Sequence, residues 1–113
     1  MKEIRVRNVK EIEGKILYDG SIVSKRLINK QRDNSENMSF HYSNIKSGWK
    51  HEVSNDDQDE IMFFLQGKAK LSWDGKEVEV SKGDCIYIPS GCKLFYDSQG
   101  DAVVIAVLSP PAE

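Results

Sequence analysis

The sequence predicts an all-β fold closed into a small jelly-roll barrel. Three observations predict it. Apolar residues recur with period two in most segments, the spacing of a strand with two unlike faces. Turn residues interrupt these segments every eight to ten positions. No stretch of ten or more residues carries a helical stripe. A flat sheet of so many strands would leave open edges and a bare face, so the meander is expected to close on itself.

The elements follow in order. Ile4, Val6 and Asn8 alternate with Arg5 and Arg7, a strand-like pattern suited to pairing with a partner's sheet or within the chain. Residues 1–35 read as N-terminal strands and a loop, with 31–37 polar throughout. Met38, Phe40 and Tyr42 alternate with Ser39, His41 and Ser43. Trp49, His51 and Val53 alternate with Lys50 and Glu52. Residues 54–59 form an acidic loop. It lacks the sixth-position Gly and twelfth-position Glu of a helix-loop-helix calcium site, and reads as solvated. Residues 61–65 and 102–108 are apolar on both faces and read as covered inner strands. Ala69, Leu71 and Trp73 lead into Asp74-Gly75, a two-residue hairpin signal, and Val78 and Val80 return from it. Further turns fall at Gly83-Asp84, Pro89-Ser90-Gly91 and Ser98-Gln99-Gly100. Residues 109–113 read as a tail.

Composition narrows the function. At 113 residues the chain suits one domain, 1–113, with a barrel core over 36–108. Charged residues make up 30% and the net charge is −2, against a nucleic-acid partner. No apolar run approaches the ~20 residues of a membrane span, and the first residues lack a signal-peptide core. A cytoplasmic protein is expected. Two histidines and two cysteines leave Cys2His2 as the only closed nitrogen–sulfur zinc site. Cys85 and Cys92 read as free thiols, with Cys85 buried in a strand beside Tyr87.

Two motifs, over 48–67 and 83–94, resemble those of the cupin superfamily. Glu60 and Gly67 match the Glu-x6-Gly half of the first motif. Gly83, Pro89 and Gly91 match the Gly-x5-Pro-x-Gly of the second. The resemblance implies a cupin-type double-stranded β-helix. It also implies a metal held by three His and one Glu, and here the sequence departs from the family. The His-x-His positions hold Val53 and Asn55, or Ser54 and Asp56, and the last histidine position holds Leu94. Only Glu60 is in register. The usual metal is expected to be absent, since leucine cannot ligate and one carboxylate makes no tight site. A divalent ion on His51, Asp56 and Glu60 is the non-standard alternative.

Candidate catalytic residues are Glu60, His51 and Tyr96. Glu60 opens an apolar strand, where a low-dielectric setting would raise its pKa and suit it to acid–base work. Tyr96, on the parity that the resemblance turns inward, and His51, if its parity reaches the barrel interior, are candidate proton donors or acceptors. Candidate ligand-binding residues are His41, Trp49, Met62, Phe64, Cys92 and Leu94. Phe40 and Tyr42 join the walls if their parity faces inward.

The favoured reading is a small-molecule-binding cupin that takes a polar or carbohydrate-like ligand and needs no cofactor. A lyase, isomerase or epimerase is the alternative; sugar epimerases of this fold use a His base and a Tyr acid. The family's ethanolamine-utilisation members also lack much of the histidine set. A regulatory or structural module working with another protein is a third class. A homodimer is expected.

Overall fold

The computed structural model describes residues 3–112. They form ten strands: β1 (Lys15–Leu17), β2 (Ile22–Ile28), β3 (Ser39–Ile45), β4 (Lys50–Ser54), β5 (Asp59–Gln66), β6 (Lys68–Trp73), β7 (Lys76–Ser81), β8 (Cys85–Ile88), β9 (Lys93–Ser98) and β10 (Ala102–Ser109). All their pairings are antiparallel. A large sheet runs β1-β2-β3-β10-β5-β8 and a small one β4-β9-β6-β7. No described helix is long and apolar enough to cross a membrane.

The period-two pattern builds the core between the two sheets. Met62 and Phe64 point in from β5, Leu71 from β6, Leu94 and Tyr96 from β9, and Val104 from β10. Phe64 and Tyr96 are both 0% exposed, with ring centroids 6.3 Å apart. Burial of such rings is the main force closing the barrel.

Two glycine turns set the register. Asp74 and Gly75 adopt φ of 48° and 73°, so Trp73 pairs directly with Lys76 in a two-residue hairpin. Gly67 has φ of 98°, and a Cβ there would lie 2.5 Å from Ala102 Cα and Asp101 O. The turn from β5 to β6 therefore rests directly on the start of β10, where only glycine fits.

The structure departs from the expected elements in four places. Residues 4–8 form no strand. Arg7 instead donates to the Leu27 carbonyl at 2.7 Å and pairs with Asp33 at 2.5 Å, leaving Ile4 and Val6 exposed. Residues 30–33 form a short helix, α1 (Lys30–Asp33), inside the expected loop. The Asn29 side chain caps Arg32 N–H, and Asp33 returns a bond to Asn29 N–H. The apolar run in β5 is not covered on both faces: Ile61, Phe63 and Leu65 lie exposed on the outer side of the large sheet, where the chain supplies no second layer. Cys85 is exposed rather than buried, because Ile86 and Ile88 take the inward parity of β8.

Candidate functional site

A cavity of about 230 Å³ lies between the two sheets. Its wall on the large sheet follows the strand register. Arg26 pairs with His41, His41 with Ala106, and Ala106 with Met62, forming one row across β2, β3, β10 and β5. The adjacent row brings Leu108 opposite Glu60. Tyr96 and Val53 face these rows from the small sheet. Ile22, Ile45 and Val104 add apolar surface, and Ser24 and Ser43 add hydroxyls.

Three titratable groups of the wall, His41, Glu60 and Tyr96, are displaced toward their neutral forms. His41 is buried, and burial together with the Arg26 charge lowers its pKa from 6.5 to about 4. Its Nε2 lies 2.9 Å from Ser39 Oγ, which also accepts the Ala112 N–H at 2.9 Å. Ser39 is 0% exposed, so its own proton needs an acceptor. His41 Nε2 takes that proton, which leaves Nδ1 as the protonated nitrogen of the neutral ring. Burial raises Glu60, with only a 3.5 Å hydrogen bond from Asn55 Nδ2 acting against it. Burial also raises Tyr96.

Two polar atoms of this wall, Tyr96 Oη and Arg26 Nε, are buried and have no hydrogen-bond partner among the described residues. Arg26 forms no ion pair among those residues either. A buried polar group without a partner is costly, and in a native protein it needs an explanation.

The sequence-derived candidates divide by position. Glu60, Tyr96, His41, Trp49 and Met62 line the cavity. Phe64 and Leu94 lie in the packed core instead. Cys92 is exposed in the turn before β9, beside Trp73 and Tyr87 on the outside. His51 is exposed at the rim, where its ring stacks on Trp49 with centroids 5.5 Å apart and an interplanar angle of 1°. Its Nδ1 donates to the Glu52 carbonyl at 2.6 Å. Phe40 and Tyr42 take the outer parity of β3, since His41 takes the inner one.

Sequence reasoning missed Arg26 and Tyr18. Tyr18 closes the rim cluster, with centroids 5.1 Å from Trp49 and 4.7 Å from His51. Arg26 shares parity with Ile22 and Ser24, but Lys25 stands equally alone between Val23 and Leu27 on the other parity, so the sequence carries no signal that singles Arg26 out.

Residues 41–109 match the family model described as a cupin domain. The chain belongs to the cupin family. Several solved structures share the cupin's fold. KdgF from Halomonas sp. is 17% identical with a TM-score of 0.79, over 91% of this chain and 92% of that one. Ectoine synthase from P. lautus is 17% identical with a TM-score of 0.85, over 96% and 80%. An RmlC-like cupin from Shewanella frigidimarina is 13% identical with a TM-score of 0.81, over 98% and 95%. A curated relative, an uncharacterized protein of Streptomyces coelicolor, is 33% identical over 55 residues. That match spans 48% of this chain and 52% of the relative, about half its length.

The three-histidine, one-glutamate metal set does not fit this cupin. Leu94 is buried apolar core, and of the two histidines His51 sits at the rim. The alternative set of His51, Asp56 and Glu60 does not assemble either. His51 is held in the aromatic stack and Asp56 is exposed on its loop. Among the described residues no group of three or more His, Cys, Asp or Glu is placed to hold a metal ion.

Proposed function

We propose that this cupin binds a small polar or carbohydrate-like molecule inside its barrel, without the family's three-histidine metal centre. The observation that carries the reading is the Tyr96 hydroxyl, which is buried on the cavity wall and has no partner among the described residues. A ligand acceptor would satisfy it. The surroundings suit such a ligand: apolar side chains supply contact area and a few polar groups supply orientation. The test is a thermal-shift screen of small sugars, polyols and acids, repeated on Tyr96→Phe. A ligand that stabilises the native protein and loses its effect on the variant supports the reading through linkage. A screen in which nothing stabilises the native protein removes it.

A second reading is an enzyme, a lyase, isomerase or epimerase. The raised Glu60 favours it, because a carboxyl displaced toward neutrality is suited to acid–base work near neutral pH. Tyr96 and His41 share the cavity with Glu60, whereas His51 stands outside it. Turnover of any identified ligand that survives Glu60→Gln unchanged would remove this role.

The assembly we propose is a homodimer. Ile61 and Tyr87 are register partners, and with Phe63 and Leu65 they leave an exposed apolar strip on the outer face of the large sheet. A second copy of the same strip is a self-complementary cover for it.

A further inference from the structure

We infer that the cavity selects a small organic monoanion, a carboxylate that accepts from Arg26 and Tyr96 and carries a hydroxyl toward Glu60. The inference rests on the small-molecule reading of this cavity and adds the ligand's charge, size and polarity.

Charge comes first. A guanidinium stays protonated at any accessible pH. Arg26 holds its charge in the cavity wall, its Nε buried and without a partner, and it joins no ion pair among the described residues. The residue is half-buried, and an entering carboxylate would give its unpaired guanidinium a partner through planar, charge-assisted bonds. The register neighbour of Arg26 adds no second charge, because His41 is neutral near pH 7. One uncompensated positive charge calls for one negative charge.

Polarity has a direction. Arg26 and His41 stand on β2 and β3, while Glu60 stands on β5, on the far side of β10. Three strand spacings separate the Arg26 and Glu60 backbones, about 14 Å along the curved sheet. One end of the cavity therefore presents donors, and the other presents a carboxyl that can accept from a hydroxyl. Tyr96, from the facing sheet, adds a donor whose hydroxyl has no partner among the described residues.

Size sets the limit. A volume of about 230 Å³ equals that of roughly eight waters, or on the order of ten non-hydrogen atoms. Disaccharides and nucleotides are too large, whereas a short hydroxycarboxylate fits.

The experiment uses matched ligands on the full chain. Hydroxycarboxylates of up to ~ten non-hydrogen atoms are each paired with their primary amide. Inorganic phosphate and neutral monosaccharides are run alongside, with calorimetric titration as the readout. At least one acid is expected to bind, and its amide to bind at least about tenfold more weakly. Arg26→Gln is expected to remove the preference for the acid, and Arg26→Lys to keep part of it. Equal binding of acid and amide, or of phosphate and acid, overturns the inference. A bound monosaccharide with every acid silent overturns it too, while the small-molecule reading stands. Silence from acids, amides and sugars alike overturns both. Should Arg26→Gln fail to fold, the acid–amide comparison on the native chain still decides.

Discussion

Arg26 and His41 are direct partners across the β2–β3 ladder, and no acidic side chain pairs with the arginine among the described residues. The pair adds to what holds His41 neutral. Burial is the larger cause and the adjacent guanidinium the smaller. Removing the charge in Arg26→Gln leaves the burial in place. His41 is then expected to titrate above its present value of about 4 yet still below the ordinary 6.5. Imidazole proton shifts followed by NMR across the pH range check this. An unchanged midpoint would mean that the arginine charge does not reach the ring.

The same displacement makes stability depend on pH. An unfolded chain protonates His41 near 6.5, while the folded chain does not do so until about 4. Between these values the unfolded state binds more protons, so stability falls as pH falls through that window, by up to about 3 kcal/mol. Glu60 works in the opposite sense. Its raised pKa means that stability present below 4.5 is lost as pH rises through the folded value. Urea midpoints at several pH values are expected to show the acid-side slope in the native protein and not in His41→Gln. Glu60→Gln is expected to raise stability at neutral pH.

Tyr96 separates stability from binding. Its ring is fully buried against Phe64 and Trp49, but its hydroxyl bonds to nothing among the described residues. Tyr96→Phe keeps the ring and removes an unsatisfied group. It is expected to leave the midpoint unchanged or to raise stability by about 1 kcal/mol. Phe64→Ala, in the packed core, is expected to cost about 3–5 kcal/mol. Denaturant titration of both variants checks the contrast. A large loss in Tyr96→Phe would mean that the hydroxyl already has a partner.

Some positions were legible in the sequence because backbone geometry restricts which residue can stand there. Asp74-Gly75 and Gly67 occupy left-handed conformations, and each marked its turn. The resemblance to the cupin motif implies the inward parity of Leu94 and Tyr96, whereas residues 61–65, apolar on both faces, do not by themselves orient Met62 and Phe64. Strand β3 inverted the usual rule. Its apolar parity, Phe40 and Tyr42, faces out, while Ser39 and His41 face in. A strand that lines a cavity carries polar groups inside, so hydrophobicity alone points the wrong way. Arg26 escaped notice for the same reason, since Lys25 beside it offers an equal charge on the opposite parity. The N-terminal segment escaped because its alternation serves ion pairing rather than a strand ladder.

That ion pairing has a measurable role. Asp33 is buried, and burial pushes its pKa up. The hydrogen bond from Arg7, the bond from Asn29 N–H and the charges of Arg7 and Arg5 together outweigh burial and bring it below 3.8. Its contribution is therefore present above 3.8 and lost as pH falls through the lowered value. Asp33→Ala removes the ion-pair partner of Arg7 and the acceptor of the Asn29 N–H, and is expected to cost about 3 kcal/mol. Limited proteolysis is expected to cut residues 3–12 sooner in the variant than in the native chain. Equal cutting would show that the segment is held by something else.

The outer face of the large sheet gives the last prediction. Ile61, Phe63, Leu65 and Tyr87 are each more than a third exposed, on neighbouring strands, in a protein whose other sheet face is packed core. Leaving such a strip in water forgoes roughly 25 cal/mol per Å² of apolar surface that a partner would cover. A second copy would meet the strip with itself about a two-fold axis. Phe63→Lys places a charge at its centre without touching the cavity, because Phe63 and Met62 point to opposite faces of β5. Light scattering is expected to give a dimer for the native chain and a monomer for Phe63→Lys, with ligand binding retained. A native chain that runs as a monomer at high concentration would remove the dimer. The strip would then have to be covered by a different protein.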